Sequence, residues 1–171
     1  MSNQVVLVLV GAPGAGKTTV GTAVADRLGL AFTDTDELIA ERAGKSIQDI
    51  FIEDGEETFR DLEVEVVGDA LQNGAGVLSL GGGAVLRSET QAALEGHKVV
   101  WLDVTADVAS TRAGLGAPRP VLLGNVRGQM AKLLQARRPV YESVASVTID
   151  ASGDSVEDTI ERVIDLVRSS A

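Results

Sequence analysis

The segment Gly-Ala-Pro-Gly-Ala-Gly-Lys-Thr at residues 11–18 is the part of the chain whose residue types and spacing indicate chemistry most directly. It follows an apolar, β-branched run at residues 5–10, so a glycine-rich turn is predicted between a buried strand and a helix. In that setting the loop backbone and the helix N-terminus bind nucleotide phosphates, and Lys17 reaches the outer phosphates. Thr18 would offer its hydroxyl to Mg²⁺. The alternative, a glycine turn that only caps a strand, does not account for the full octapeptide.

Two carboxylates stand at the end of the second predicted strand. Asp34 and Asp36 can face different ways there, one toward hydrated Mg²⁺ near Thr18 and the other toward an acceptor hydroxyl. The alternative for Asp36 is that it only caps a helix beginning at Glu37. Asp103 ends a later apolar strand that resembles a Walker B strand, and it is the main competitor of Asp34 for the metal.

Three successive glycines, Gly81, Gly82 and Gly83, follow the third predicted strand. Their missing side chains would let backbone N–H groups approach a small polar molecule closely. A tight turn made of glycines is the alternative. Aromatic residues make up only 3% of the chain, and Phe51, Phe59 and Trp101 are expected in the core, although one phenylalanine could form a pocket wall.

The elements that must position these residues alternate between apolar strands and helices. Strands apolar on both faces indicate a parallel sheet covered by helices on each side, a three-layer α/β sandwich with an active site at the carboxyl ends of the strands. The predicted strands cover residues 5–10, 31–33, 77–80, 99–102 and 147–149. The predicted helices cover residues 18–28, three stretches within 36–72, and residues 89–94, 107–112 and 156–167. Residues 114–120 combine two glycines with two prolines, which indicates a mobile loop.

Composition limits the class of protein. A chain of 171 residues that is 44% hydrophobic can bury one sizeable core, so we expect one domain over residues 1–171. No run approaches the ~20 apolar residues of a membrane span, and residues 1–4 lack the start of a secretory signal. The absence of cysteine indicates a reducing compartment. We therefore expect a cytoplasmic protein, and we also expect it to be a monomer.

Charge points to where the ligand binds. The net charge of −10 argues against nucleic acid or an anionic membrane as a partner. An acidic protein that binds anionic ATP must gather its few cations in one cleft. The cations next to strand ends or glycine-rich segments are Lys17, Arg60, Arg112, Arg119 and Arg137.

The motifs together resemble the shikimate kinases, within the nucleoside monophosphate kinase fold. The resemblance runs over residues 5–149 and is carried by the phosphate loop, Asp34-Thr-Asp36, Phe59-Arg60, Leu80-Gly-Gly-Gly83 and Arg119-Pro120. It implies a sheet of strand order 2-3-1-4-5, an acceptor-binding region at about residues 34–62 and a mobile lid at about residues 113–125. It also implies Mg²⁺-assisted transfer of the γ-phosphate of ATP to the 3-hydroxyl of shikimate, in aromatic amino acid biosynthesis.

The resemblance also implies a role for each site residue. Arg60 and Arg137 would hold the shikimate carboxylate; Arg137 is preferred to Arg138 because the family arginine stands two residues before a proline, here Pro139. The implied catalytic residues are Lys17, Asp36 and Arg119, and the metal residues are Thr18 and Asp34. ATP would bind Gly14, Ala15, Gly16, Lys17, Thr18, Thr19, Arg112 and Arg119, and shikimate would bind Asp36, Arg60, Gly82, Gly83 and Arg137.

Two other functions remain open at this point. A gluconate or nucleoside monophosphate kinase would share the fold, but it gives no reason for the glycine triplet together with Arg137. A regulatory nucleotide-binding switch would need a guanine-reading Asn-Lys-x-Asp segment, which the sequence lacks.

Overall fold

A computed structural model describes residues 4–109, 126–153 and 155–169 of the chain. Its centre is a five-stranded parallel sheet of order β2-β3-β1-β4-β5, which confirms the predicted fold class and strand order. The strands are β1 (Val5–Val10), β2 (Phe32–Asp34), β3 (Gly76–Ser79), β4 (Val99–Asp103) and β5 (Val147–Asp150).

Helices follow each strand, as the alternation of apolar runs predicts. They are α1 (Lys17–Leu28), α2 (Thr35–Ala43), α3 (Ile47–Asp54), α4 (Glu56–Asn73), α5 (Ser88–Ala93), α6 (Val126–Val144) and α7 (Val156–Ser169), with a 3₁₀ turn at Ala84–Leu86. Residues 106–109 are also helical. Within the described part of the chain, no helix is long and apolar enough to cross a membrane.

The sheet is buried on both faces because its side chains alternate. Along β1, Leu7 and Leu9 pack into a core shared with α1, α6 and α7, whereas Val8 and Val10 pack into a core shared with α4 and α6. This alternation explains why the strand is a continuous apolar run rather than an amphipathic one.

The strand register brings the polar strand ends to one edge. Asp34 pairs with Ser79 at the end of β2 and β3, and Asp103 pairs with Asp150 at the end of β4 and β5. The hydroxyl of Thr35 donates to the Ser79 carbonyl at 3.3 Å, which attaches the start of α2 to β3. The carboxyl edge of the sheet therefore carries Asp34 and Asp103, at the place where active sites lie in this class of fold.

Three local predictions differ from the structure. α2 begins at Thr35 with Asp34 as its N-cap, so the alternative in which Asp36 caps a helix at Glu37 is wrong. α6 was not predicted, because Pro139 stands inside it and proline normally interrupts a helix. Phe59 is buried as expected, but Phe51 is 37% exposed and packs on the Phe59 ring from outside, with centroids 4.7 Å apart.

Candidate active site

The phosphate loop connects β1 to α1 with a backbone that needs glycine. Gly14 and Gly16 have φ of +83° and +92°, a region that residues with a side chain rarely adopt. A Cβ on Gly14 would also lie 2.5 Å from the Ala109 carbonyl oxygen, so the loop packs tightly on the helical segment after β4. No side chain caps α1 and its first turn holds no acidic residue. This helix N-terminus therefore suits an anion.

Lys17 is folded onto its own loop. Its Nζ donates to the carbonyls of Gly11 at 2.7 Å and Ala12 at 3.0 Å. Burial lowers the pKa of Lys17 from 10.5 to about 8, and the positive charge of Arg137 lowers it as well. The negative charges of Asp36 and Asp34 act in the opposite direction and raise it. These three groups therefore lie within electrostatic reach of the ammonium. Thr18 and Thr19 are exposed at the start of α1, next to the loop.

The carboxylates of Asp34 and Asp36 take different positions at the end of β2. Oδ1 of Asp34 accepts a hydrogen bond from the Asp36 backbone N–H at 2.9 Å, which caps α2. The Asp36 carboxylate turns toward the glycine triplet, where its Oδ1 lies 2.7 Å from the position that a Cβ on Gly81 would occupy. Gly81 is therefore required for the close approach of this carboxylate.

The rest of the triplet is enclosed by the phosphate loop on one side and an arginine on the other. A Cβ on Gly82 would meet Pro13 Cδ at 2.8 Å, and a Cβ on Gly83 would meet Arg60 Nη2 at 2.6 Å. The triplet is thus a shared wall between the phosphate loop and the Arg60 side chain. A tight turn by itself would not account for the close approach of Pro13 and Arg60 to these glycines.

Arg60 is held by a buried carboxylate that the sequence analysis missed. Its Nη1 donates to Oε1 of Glu63 at 2.7 Å, and Glu63 is only 1% exposed. Burial raises the pKa of Glu63 most strongly, and Asp36 raises it further, while Arg60 and Arg137 lower it. A signal was present in the sequence: Glu63 occupies a core position of α4, in phase with Phe59 and Val66.

The adjacent arginines of α6 face different partners. Arg138 donates two hydrogen bonds of 3.1 Å to the carboxylate of Asp103, and its guanidinium lies 5.1 Å from the centre of the Trp101 ring. Arg137 instead acts electrostatically on Lys17 and Glu63. Asp103, the competing metal candidate, is thus engaged by Arg138, whereas the charge of Arg137 acts on Lys17 and Glu63.

Tyr141 is a second residue that the sequence analysis did not single out. Its hydroxyl donates to the Gly82 carbonyl at 2.6 Å, and its ring stacks on the buried ring of Trp101 with centroids 5.6 Å apart. It lies on α6, four residues after Arg137. Because α6 was not predicted, no periodicity argument could place Tyr141 at the site.

A shallow pocket of about 80 Å³ lies on the other side of the phosphate loop. The segment after β5 carries no basic residue at this pocket, in agreement with the acidic sequence at residues 150–154. The lining residues are Ala15, Gly16, Thr19, Val20, Ala151, Val156 and Thr159.

The remaining predicted site residues belong to the segment between residues 109 and 126, which the structure does not describe. Arg112, Arg119 and the lid at residues 113–125 lie outside the described residues. Among the described residues, no three His, Cys, Asp or Glu side chains form a group that could hold a metal ion.

Comparison with known proteins identifies the family of the chain. A family model described as shikimate kinase matches residues 13–168. A shikimate kinase of Thermobifida fusca is 51% identical over 163 residues, covering 95% of each chain. One of Salinispora tropica is 51% identical over 164 residues, covering 96% of this chain and 98% of its own. The solved structure of shikimate kinase from Acinetobacter baumannii in complex with shikimate is 32% identical, with a TM-score of 0.88 and coverage of 98% and 96%.

Proposed function

The chain belongs to the shikimate kinase family of ATP-dependent kinases, and we propose that its site residues divide the family reaction between two compartments that share the glycine triplet as a wall. The reaction transfers the γ-phosphate of ATP to the 3-hydroxyl of shikimate and yields shikimate 3-phosphate and ADP. The observation that carries the division is the close approach of Gly82 to Pro13 and of Gly83 to Arg60. The donor and acceptor sites are therefore adjacent.

On the donor side, the loop and the first turn of α1 bind ATP. The backbone of Gly14, Ala15 and Gly16 faces the phosphates, Lys17 leaves its loop carbonyls to pair with the outer phosphates, and Thr19 lies beside the pocket that takes the nucleoside. Two further contacts of the ATP site are predictions. Arg112 is expected to contact the adenine, and Arg119 is expected to contact the transferring phosphate.

Mg²⁺ is the cofactor that this donor set fits. The hydroxyl of Thr18 and the carboxylate of Asp34 are oxygen ligands of the kind that Mg²⁺ prefers, and capping α2 through one oxygen leaves Asp34 a second one. When bound, Mg²⁺ neutralises charge that develops on the phosphate oxygens.

On the acceptor side, Arg60 and Arg137 bind the shikimate carboxylate, and Gly82, Gly83 and Asp36 bind its hydroxyls. Two guanidinium groups suit a planar carboxylate because each can donate a fork of parallel hydrogen bonds. Asp36 orients the 3-hydroxyl toward the γ-phosphate and takes its proton late in the transfer.

Catalysis then depends mainly on alignment and positive charge. The transition state of phosphoryl transfer is loose, so little base strength is needed, and Lys17 and Arg119 would supply most of the positive charge that the chain itself contributes. Lys17 lies within electrostatic reach of Asp36, which brings the phosphate-binding cation to the hydroxyl-binding carboxylate.

The domain organisation, location, oligomeric state and partners of the enzyme are part of the same proposal. The chain works as a single-domain cytoplasmic monomer over residues 1–171, with its acceptor region at residues 34–62 and its lid at residues 113–125. Its net charge of −10 disfavours nucleic acid and anionic membranes as partners.

An acceptor screen tests the proposed function. Purified protein with ATP and Mg²⁺ should release ADP when shikimate is supplied, and not with gluconate or without an acceptor. Arg137→Ala should raise the KM for shikimate by about 100-fold, because a charge-assisted fork is lost, and leave the KM for ATP within about twofold. Arg138→Ala is the matched control and should change neither KM. Equal ADP release with gluconate would reject the assignment.

A further inference from the structure

Tyr141 connects α6 to the acceptor wall through a short, partly buried hydrogen bond. The side chain is 1% exposed, and its hydroxyl donates to the Gly82 carbonyl at 2.6 Å. A short hydrogen bond that is shielded in part from water holds its acceptor more firmly than a fully exposed one. The Gly82 peptide therefore has a fixed orientation.

That orientation decides where the N–H of Gly83 points. Among the described residues, none accepts a hydrogen bond from the N–H of Gly82 or Gly83. The Gly82 carbonyl and the Gly83 N–H belong to the same peptide plane, so fixing one fixes the other. Pro13 packs against Gly82 from the phosphate loop, which prevents the plane from moving toward the donor side.

Tyr141 also acts on Arg137, one helical turn earlier. Residues four apart on a helix lie on the same face, so both side chains of α6 point toward the triplet. Burial raises the pKa of Tyr141, whereas the positive charge of the Arg137 guanidinium lowers that pKa. The phenol oxygen can accept from Arg137 while its proton is donated to Gly82.

We propose that Tyr141 is a positioning residue for the phosphoryl acceptor, which holds the Gly82–Gly83 peptide and the Arg137 guanidinium in one fixed arrangement. This inference rests on the proposed function, because its substrate is the hydroxylated carboxylate that the triplet and Arg137 bind. Tyr141 does not touch the reacting atoms. It sets the positions of the groups that do.

The first test is Tyr141→Phe, which removes the hydroxyl and keeps the ring that packs on Trp101. The KM for shikimate should rise about tenfold with the KM for ATP unchanged, a loss the size of one hydrogen bond. Trp101→Phe is the matched control, because it disturbs the same ring stack without touching the Gly82 bond. It should lower the melting temperature and leave the KM for shikimate unchanged.

Two results would overturn the inference. One is a Tyr141→Phe variant with the wild-type KM for shikimate; the other is a variant in which both KM values rise together, as general loosening of the fold would cause. If the wild-type protein itself fails to phosphorylate shikimate, the proposed function fails instead, so the two failures are distinguishable.

A double-mutant cycle tests the link to Arg137. In the Arg137→Ala background, Tyr141→Phe should raise the shikimate dissociation constant by a smaller factor than it does in the wild type, because part of its effect passes through Arg137. Binding is measured by calorimetry on the folded proteins. Equal factors in both backgrounds would disprove the coupling.

Discussion

The guanidinium of Arg60 is held at Nη1 by Oε1 of Glu63 across 2.7 Å, while its Nη2 lies against Gly83. Glu63 is buried in α4, so its carboxylate has lost most of its water and depends on the arginine for compensation. The pair keeps the guanidinium rigid at the wall where the acceptor binds. Arg60 therefore has its position set before the substrate arrives.

We predict that Glu63→Gln weakens shikimate binding. The KM for shikimate should rise about tenfold, because Arg60 loses its charged partner, and the KM for ATP should not change. Steady-state kinetics with each substrate varied in turn measures both values. Glu65→Gln, an exposed position of the same helix, is the control. Equal effects of the two variants would contradict the role of Glu63.

The same variant should change how stability depends on pH. Burial raises the pKa of Glu63 above its ordinary 4.5, so the folded protein holds this proton more tightly than the unfolded chain does. The tighter binding of this proton contributes its full stability below the ordinary pKa of the carboxyl group. That stability is lost as the pH rises through the pKa of Glu63 in the folded protein. The Glu63→Gln variant has no titrating group at this position, so it does not lose this stability as the pH rises. Its free energy of unfolding, relative to wild type, should increase from about pH 4 to about pH 7 in denaturant titrations.

Lys17 should take up a proton when ATP binds in mildly alkaline solution. Its pKa is lowered to about 8 without nucleotide, and phosphates beside the ammonium will raise it. At about pH 8.5, calorimetry of ATP binding in buffers of different ionisation enthalpy should report uptake of a fraction of a proton. Lys17→Arg remains charged and should abolish the uptake. An unchanged uptake in this variant would assign the proton to another group.

Asp34 and Asp103 should differ in their effect on Mg²⁺ dependence. Asp34→Asn keeps a good helix cap, so stability should be retained while the Mg²⁺ concentration for half-maximal rate rises about tenfold. Asp103→Asn weakens the exposed pair with Arg138, which should lower stability by less than about 1 kcal/mol and leave the Mg²⁺ requirement unchanged. The reverse pattern would make Asp103 the metal ligand.

Gly83→Ala should damage the acceptor site selectively. The new Cβ would lie 2.6 Å from Arg60 Nη2, so the guanidinium must move away from the wall. We expect the KM for shikimate to rise at least tenfold with the ATP KM unchanged. Gly68→Ala is the matched control: its Cβ meets nothing within 4 Å on α4, and it should stabilise the protein by about 0.5–1 kcal/mol without kinetic effect. A Gly83→Ala variant with normal shikimate kinetics would place the acceptor elsewhere.

Much of the fold and the donor side of the site follow from local sequence. The phosphate loop is a contiguous octapeptide, and each strand is a short apolar run, so their chemistry and type depend on neighbours in the chain. β2 was predicted at residues 31–33 and lies at Phe32–Asp34, a shift of one residue. The preference for Arg137 over Arg138 came from the spacing to Pro139, and it remains a prediction.

Tertiary packing decided the partners on the acceptor side. Whether α6 continues through Pro139, and which of its two adjacent arginines pairs with Asp103, depends on how that helix packs beside β4. Tyr141 and Gly82 are 59 residues apart, so no local pattern joins them. The sequence alone thus identified the groups that bind phosphate and the types of residue at the strand ends. The folded chain determined which of those groups are held by Glu63, Arg138 and Tyr141, because such pairings arise only when distant elements are packed together.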